Sequence, residues 1–262
     1  MNISDIYAKG IKESLHNYWS AWLPSSRFEL GDIGVLNRYY FEKIGSLKEL
    51  KIPFKVKDDD SSSPLELVSN AGVSFSFKLA GETNEKFEAV PTADAGAKVD
   101  FTSQAAFVVH CSEAFEPEIA NPMALQAAIL KAYEEGTWQS NWLVIVRLVR
   151  SPKATFLISQ SGSSGLEMSA NTNLSAGFAD LANAELGISI RSQRGEMIKM
   201  IGSQNVTPFF QLGRLKRRLF GATTLKTRSL RPSDHVVGSP DTQKDSSNLY
   251  FDLHRDEEIT SG

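Results

Sequence analysis

The chain has 262 residues, of which 41% are hydrophobic and 23% charged, and its 28 basic and 31 acidic residues give a net charge of −3. These values are typical of a globular protein with a sizeable core, and so small a net charge gives no reason to expect nucleic acid as a partner of the whole chain. The single cysteine, Cys111, excludes an internal disulfide and a cysteine-based zinc site and favours a reducing, cytoplasmic compartment.

The N-terminal segment predicts an amphipathic helix that ends at Pro24. Apolar residues recur at three- and four-residue spacing from Ile3 to Trp22, with polar residues on the other side. We favour packing of this helix on a sheet, although lysines and aromatic residues are also typical of a helix at a membrane surface. The segment lacks a continuous apolar stretch, so we do not expect a secretion signal, and nowhere do about 18 apolar residues follow one another as in a membrane-spanning helix.

The pattern then changes to a period of two, which predicts strands. Apolar and polar residues alternate over 28–35, with an interruption at Gly31-Asp32, and they alternate again over 52–56 and over 73–79. These segments are expected to pair in an antiparallel sheet.

A single long strand is predicted from Ala97 to Cys111. One face would carry a row of apolar residues: Val99, Phe101, Ala105, Phe107 and Val109. At roughly 3.3 Å per residue this strand would reach about 50 Å, far beyond a usual strand. A two-sided strand of about 9–11 residues is also long enough to cross a bilayer, so the segment is a candidate membrane-hairpin strand. The alternative is a long bent strand of an ordinary sheet, broken by a bulge.

A helix is predicted from Asn121 as N-cap and Pro122 as first residue to Gly136. After it, Trp142 to Val149 predicts a central strand that Ser151-Pro152-Lys153 turns back into Ala154 to Ser159, a hairpin expected in the core.

Two further segments precede the basic run. Ser161 to Asn173 is of low complexity and is interpreted as a mobile loop or a weakly held strand. Apolar residues on either side of Gln193-Arg194-Gly195 predict a last hairpin. The fold class expected is α+β: a twisted, mainly antiparallel sheet with flanking helices and a short C-terminal tail, divided into a body, 1–231, and an acidic tail, 232–262.

The sequence contains no pattern typical of a catalytic or metal site. The histidines are scattered, and none has metal-ligand spacing: His16, His110, His235 and His254. His110 and Cys111 are neighbours on a predicted strand, where successive side chains point to opposite faces, so they do not form a nucleophile and base pair. We therefore expect no catalytic residues, no metal and no cofactor.

The charge reverses near the C-terminus. Seven basic residues follow one another without an acid: Arg214, Lys216, Arg217, Arg218, Lys226, Arg228 and Arg231. After Pro232 acids dominate, and the apolar group Tyr250, Phe251 and Leu253 lies among them. A basic surface followed by an acidic segment with its own apolar anchor is the layout of a masked site.

The basic run suits an anionic membrane better than nucleic acid, because few aromatic residues are interleaved with it. Each Lys or Arg near such a surface contributes about 1 kcal/mol, so the candidate lipid-binding residues Arg214, Lys216, Arg217 and Arg218 would contribute about 4 kcal/mol. The alternative is a solvated helix face.

The order of elements resembles that of the bacterial gasdermins, most clearly over GAKVDFTSQAAFVVHC, NWLVIVRLVRSPKATFLIS and the tail NLYFDLH. The resemblance implies a protein held inactive by its tail, a partner protease that removes the tail, and assembly of the freed bodies into a membrane pore that kills the infected cell in antiviral defence. It does not extend to the lipidated N-terminal cysteine usual in that family, since residues 1–10 contain none.

The function predicted is an autoinhibited pore-forming protein. Tyr250, Phe251 and Leu253 would contact an apolar site on the body until the chain is cut within Thr227 to Asp245. The partners expected are anionic lipids after activation, an activating protease and further copies of the chain in a homo-oligomer, with no nucleic acid. The protein would be cytoplasmic when inactive and at the membrane when activated. The main alternative is a non-enzymatic α+β interaction module with a docking tail, and an enzyme with an unfamiliar site is the third.

Overall fold

A computed structural model describes residues 3–38, 40–69, 71–170, 188–217 and 249–253. The helices of this part of the chain are α1 (Ile3–Ser14) and α2 (Pro122–Glu134). The strands of its first half are β1 (Trp19–Ser20), β2 (Asp32–Asn37), β3 (Tyr40–Ser46), β4 (Val56–Lys57), β5 (Ser63–Val68), β6 (Val73–Lys78), β7 (Ala95–Phe101), β8 (Phe107–Ala114) and β9 (Glu118–Ile119). Those of its second half are β10 (Leu143–Ser159), β11 (Ser164–Ala170), β12 (Ser189–Arg194), β13 (Met197–Arg217) and β14 (Leu249–Leu253).

The strands form two antiparallel sheets, which confirms the predicted α+β class. In the large sheet β10 is central: β13 pairs with it on one side, while β2, β9 and β8 follow one another on the other side. Further out, β3 pairs with β2, β4 with β9 and β5 with β8. The small sheet has the order β12-β11-β7-β6.

The small sheet continues the large one. Each of its strands follows or precedes a strand of the large sheet after a short break, so that β5 leads to β6, β7 to β8, β10 to β11 and β12 to β13. Backbone hydrogen bonds also connect the short segments between the two sheets: Ala105 N donates to Ser159 O at 2.9 Å, and Gln160 N donates to Glu196 O at 2.9 Å. The result is a bent ribbon of four long strands whose neighbours stay in order from one sheet to the other.

The single strand predicted from Ala97 to Cys111 is wrong. It is divided into β7 and β8 by residues 102–106, where Ala105 has a left-handed φ of 58°. The break shifts the alternation by one residue, because an irregular residue changes which side chains share a face. Val99 and Phe101 therefore pack in one apolar cluster, while Phe107 and Val109 pack in another.

The predicted hairpin over 142–159 is also wrong. β10 runs through Pro152 without turning and pairs with β13 along its length. The register shifts between Val149 and Ser151, next to the proline, and Asn205 on the facing strand has a φ of 52°. Proline has no N–H to donate, and a bulge is where a sheet tolerates it.

The last predicted hairpin does not form either. The chain bends at Gly195, whose φ is 69°, but it does not reverse: β12 pairs with β11 in the small sheet and β13 continues beside β10 in the large one. The segment interpreted as a loop or a weakly held strand contains β11, whose residues are all buried between β12 and β7.

Of the two predicted helices, α2 has the expected limits, whereas α1 ends at Ser14 and not at Pro24. Asn17 has a φ of 68°, which stops the helix, and Trp19 then joins the large sheet opposite Phe210. The side chain of Asn121 does not cap α2 but accepts a hydrogen bond from Lys55 N at 2.7 Å.

Three apolar clusters form the core. The first lies between α2 and the large sheet, the second joins the small sheet to the adjoining part of the large one, and the third lies under α1. None of the described helices is long and apolar enough to cross a membrane.

Candidate functional site

The C-terminal strand β14 lies on an edge of β13. The two strands are antiparallel, and Phe251 is opposite Leu215 while Asp252 is opposite Arg214. The apolar group of the acidic segment is thus placed on the first part of the basic run, two features that are far apart in the sequence. We call the edge of β13 from Gly213 to Arg217 the docking edge.

One face of this pair is apolar. Leu215 is buried in the cluster under α2, and Phe251 packs against that cluster. The ring of Phe251 lies over Gly213, where an added Cβ would be 2.3 Å from Cζ of the ring. An alanine at position 213 would therefore force the Phe251 ring to move, so the present position of the ring depends on the glycine.

The other face of the pair is charged. Side chains alternate along a strand, so Arg214 and Lys216 lie on the face opposite Leu215. Lys216 Nζ is 3.6 Å from Asp252 Oδ2, with the two side chains 26% and 41% exposed. Arg214 is partly buried. The acid of the tail therefore reduces the positive potential at the docking edge.

A cavity of about 310 Å³ lies beside the docked strand. Phe251 and Leu253 line it from β14, and Pro122 and Leu125 line it from α2. The remaining walls come from β9, β10 and β13. The C-terminal strand thus closes one side of a mostly apolar space without filling it.

An ion pair between Arg147 and Glu118 lies at the edge of the cavity. Arg147 donates to Glu118 Oε2, and Lys57 Nζ donates to Glu118 Oε1 at 3.2 Å. The hydrogen bond from Arg147 is the main reason why the pKa of Glu118 is held below its ordinary value, and the same bond raises the pKa of Arg147. The carboxylate and the guanidinium are therefore both charged next to Phe251.

The remaining predicted lipid-binding and tail residues are only partly described. Arg217 pairs through its backbone with Leu249, and Tyr250 pairs through its backbone with Lys216. Arg218 and the stretch predicted for cleavage, 227–245, lie outside the described residues, as does most of the acidic tail.

The predicted membrane-hairpin residues lie elsewhere in the fold. Val99 and Phe101 are buried in the small sheet, and Ala105 is buried at the break between β7 and β8. Phe107 and Val109 are buried under α1. The ring centroids of Phe107 and Tyr7 are 5.3 Å apart in an edge-to-face contact. None of these five residues lines the cavity at the docking edge.

The small sheet is two-sided, as the alternation in β6 and β7 predicts. Its apolar face is formed by Val73 and Phe75 of β6, Val99 of β7, and Leu166 and Met168 of β11. On its polar face Lys98 of β7 pairs with Glu167 of the neighbouring β11 at 3.0 Å, and Asp100 of β7 pairs with Arg194 of β12, across β11, at 3.0 Å. The loop of residues 79–94 contacts this polar face, with Ala89 N donating to Glu167 Oε2 at 3.2 Å.

Among the described residues, no group of three or more His, Cys, Asp or Glu side chains is placed to hold a metal ion. His110 Nδ1 is 3.9 Å from Glu66 Oε2, and Cys111 is buried on the opposite face of β8.

Sequence reasoning missed the residues that shape the docking edge. Gly213, Glu118 and Arg147 were not singled out. A glycine inside a strand is a signal for close approach of another group, and Gly213 in the segment QLGRLK was available as such a signal in the sequence.

No protein-family model matches the chain, and no curated protein matches it. Among solved structures the chain is similar to the cryo-EM structure of the gasdermin A3 membrane pore, with a TM-score of 0.38 and 11% sequence identity over 83% of this chain and 91% of that chain. At these values the similarity carries no argument about function, which therefore depends on the geometry of the chain itself.

Proposed function

We propose that the chain is an autoinhibited protein that permeabilises membranes once its C-terminal tail is cut off. The observation that supports this proposal is the position of β14, which occupies the docking edge and places Asp252 next to Lys216. In the intact chain the acidic segment covers the start of the basic run. Cleavage between β13 and β14 removes this cover.

The target of the uncovered surface is an anionic membrane. Arg214, Lys216, Arg217 and Arg218 together contribute about 4 kcal/mol of attraction to an anionic surface. The tail carries further acids beyond β14, namely Asp256, Glu257 and Glu258. Removal of the tail therefore adds to the net positive charge of this end of the molecule. No nucleic acid is needed as a partner.

The small sheet supplies the membrane-crossing hairpin. β6 and β7 pair with one apolar and one polar face, which suits contact with lipid on one side and with water on the other. β5 precedes β6 and β8 follows β7, so each combined strand is longer than the roughly 9–11 residues that a spanning strand needs. In the membrane the chain straightens between β5 and β6 and between β7 and β8, so that each of these two pairs becomes one strand. Neighbouring copies then pair their edge strands in a homo-oligomer.

In this proposal an activating protease acts on the segment that joins β13 to β14. The protein is cytoplasmic before the cut and at the membrane after it. It performs no enzymatic reaction of its own, and its role is the killing of the infected cell in antiviral defence.

The second candidate function is a non-enzymatic interaction module. It is supported by the same strand pairing, because addition of an extended segment to a sheet edge is a common mode of peptide recognition. In that case the docking edge would take an acidic segment of another protein in exchange for β14.

A dye-release experiment separates the two functions. A protease recognition sequence is inserted within 232–245 of the full chain, and liposomes of phosphatidylcholine with phosphatidylglycerol are filled with a quenched dye. We expect release only after cutting and only from liposomes that contain the anionic lipid. The matched control carries an insert of the same length that the protease does not recognise.

Equal release from cut and uncut protein would contradict the autoinhibition. No release from either, with circular dichroism showing that the cut protein is still folded, would contradict pore formation and favour the interaction module.

A further inference from the structure

We propose that β14 is a low-affinity ligand of the docking edge, selected by the fit of Phe251 on Gly213 and kept in place by its covalent connection to β13. This inference deepens the proposed function and rests on it only for the consequence at the membrane. It identifies the chemistry that the docking edge recognises: an extended acidic segment with an aromatic residue opposite Leu215.

The contact between β14 and the body is small. Only five residues pair, from Leu249 to Leu253, and Phe251 and Leu253 are half-buried rather than buried. Its ion pair, between Lys216 and Asp252, is substantially exposed on the acidic side. Exposed pairs of this kind add little to affinity. The cavity beside Phe251 shows that the apolar side of the contact is incompletely filled.

Such a contact is stable only while the two strands belong to one chain. A covalent connection gives the second strand an effective concentration on the order of 1 mM. A free segment with a Kd on the order of 100 µM would then be bound about nine-tenths of the time when attached. After cutting, at a protein concentration of about 1 µM, it would be bound about one-hundredth of the time.

Selectivity comes from residue 213. Gly213 leaves room for the Phe251 ring between Val146 and the main chain, since a Cβ there would be 2.3 Å from the ring and 3.1 Å from Val146 Cγ1. Leu215 lies opposite Phe251 and sets the register of the pair. A segment without an aromatic residue at this place loses the ring that packs against the cluster under α2.

Two consequences follow for regulation. One cut in the segment between β13 and β14 suffices for activation, and no further step is needed to pull the tail away. The free tail also inhibits in trans when its concentration approaches its Kd.

The test begins with the full chain, folded and then cut at the inserted site. The tail fragment is removed by gel filtration, and a fluorescein-labelled peptide of residues 246–256, SSNLYFDLHRD, is titrated against the body while anisotropy is recorded. We expect a Kd on the order of 100 µM, at least tenfold weaker binding of the Phe251→Ala peptide, and at least tenfold weaker binding of the native peptide to a Gly213→Ala body.

The matched control for the body is Gly162→Ala, because an added Cβ at Gly162 has no atom within 4 Å. This variant should bind the peptide as the native body does. The control peptide contains the same residues in scrambled order. Circular dichroism and thermal melting of each variant before and after cutting check that the sheets are intact.

A tail fragment that stays with the body through gel filtration at 1 µM would overturn the low affinity. Equal binding of the native and scrambled peptides, or no binding of the native peptide at 1 mM, would overturn the recognition. Peptide binding without dye release by the cut protein would contradict the proposed function and leave this inference standing. Dye release that 1 mM peptide does not reduce, although the peptide binds, would overturn inhibition in trans.

Discussion

The two edges of β13 differ in what they pair with. One edge pairs with β10, a strand of 17 residues that includes fully buried side chains such as Val144, Leu148 and Phe156. The other edge pairs with β1 and with the five residues of β14, whose described side chains are half-buried. The same strand thus has one long, deeply buried pairing and one short, half-buried pairing. The difference is set by how much apolar surface each partner buries, since backbone hydrogen bonds alone add little net stability.

The largest effect is expected at the β10 edge. Phe156→Ala removes a fully buried ring from the cluster under α1, and such a change costs about 3–5 kcal/mol because it leaves a cavity. Urea denaturation followed by circular dichroism measures the change in free energy of unfolding. A loss below about 1 kcal/mol would mean that the pairing of β10 with β13 does not depend on this core.

A smaller, local effect is expected at the docking edge. Phe251→Ala removes a half-buried ring, which corresponds to about 1–2 kcal/mol of tail docking, and leaves the body unchanged. Hydrogen exchange of the amides of residues 249–253 should become at least about fivefold faster, while those of β10 keep their protection. Phe77→Ala is the control, since Phe77 is an exposed ring on β6 far from β14 in the strand order. Unchanged exchange in β14 would contradict the anchoring role of Phe251.

Lowering the pH should reduce the free energy of unfolding of the body, because Glu118 becomes protonated. Its pKa in the folded protein lies below the ordinary value of 4.5, mainly because Arg147 donates a hydrogen bond to it, so its contribution to stability is present above pH 4.5 and is lost as the pH falls through the folded pKa. Urea denaturation of the native chain and of Glu118→Gln at pH 7, 4.5 and 3 measures this. The difference between the two proteins should shrink as the pH falls, and a constant difference would rule out the carboxylate as its source.

The smallest effect is expected from the charges of the docking edge. Lys216→Ala and Asp252→Ala, separately and together, form a double-mutant cycle whose coupling should be below about 1 kcal/mol, since both side chains are partly exposed. Hydrogen exchange of β14 at low and at 1 M salt provides the readout. The coupling should vanish at high salt, and a coupling that persists there would show that the pair is more protected than its exposure indicates.

Parts of the fold followed from local patterns. The limits of α2 follow from Pro122 at its first position and Gly136 after its end, and the alternation in β6 and β7 predicts the two-sided small sheet. These elements are set by capping and side-chain periodicity, which act over a few residues. The charge reversal and the apolar group of the tail together predicted that the acidic segment covers the basic run, and β14 pairs with residues 213–217 of β13.

Other parts depended on partners that are distant in sequence. Pro152 indicates a turn when read locally, but pairing with β13 on both sides of the proline keeps β10 a single strand. The break at Ala105 shifts the alternation between β7 and β8, which periodicity does not reveal because both segments are apolar. Chain order likewise predicted a hairpin of β12 with β13, although each belongs to a different sheet.

By itself the sequence determined the α+β class, the covering helix, the two-sided strands and the opposite charges of the two segments near the C-terminus. Only the tertiary structure decided which strands share a sheet, where the long strands bend, and that Gly213 makes room for Phe251. The reason is physical: caps and alternation depend on neighbours along the chain, whereas register, bends and close approaches depend on residues brought together across the sheet.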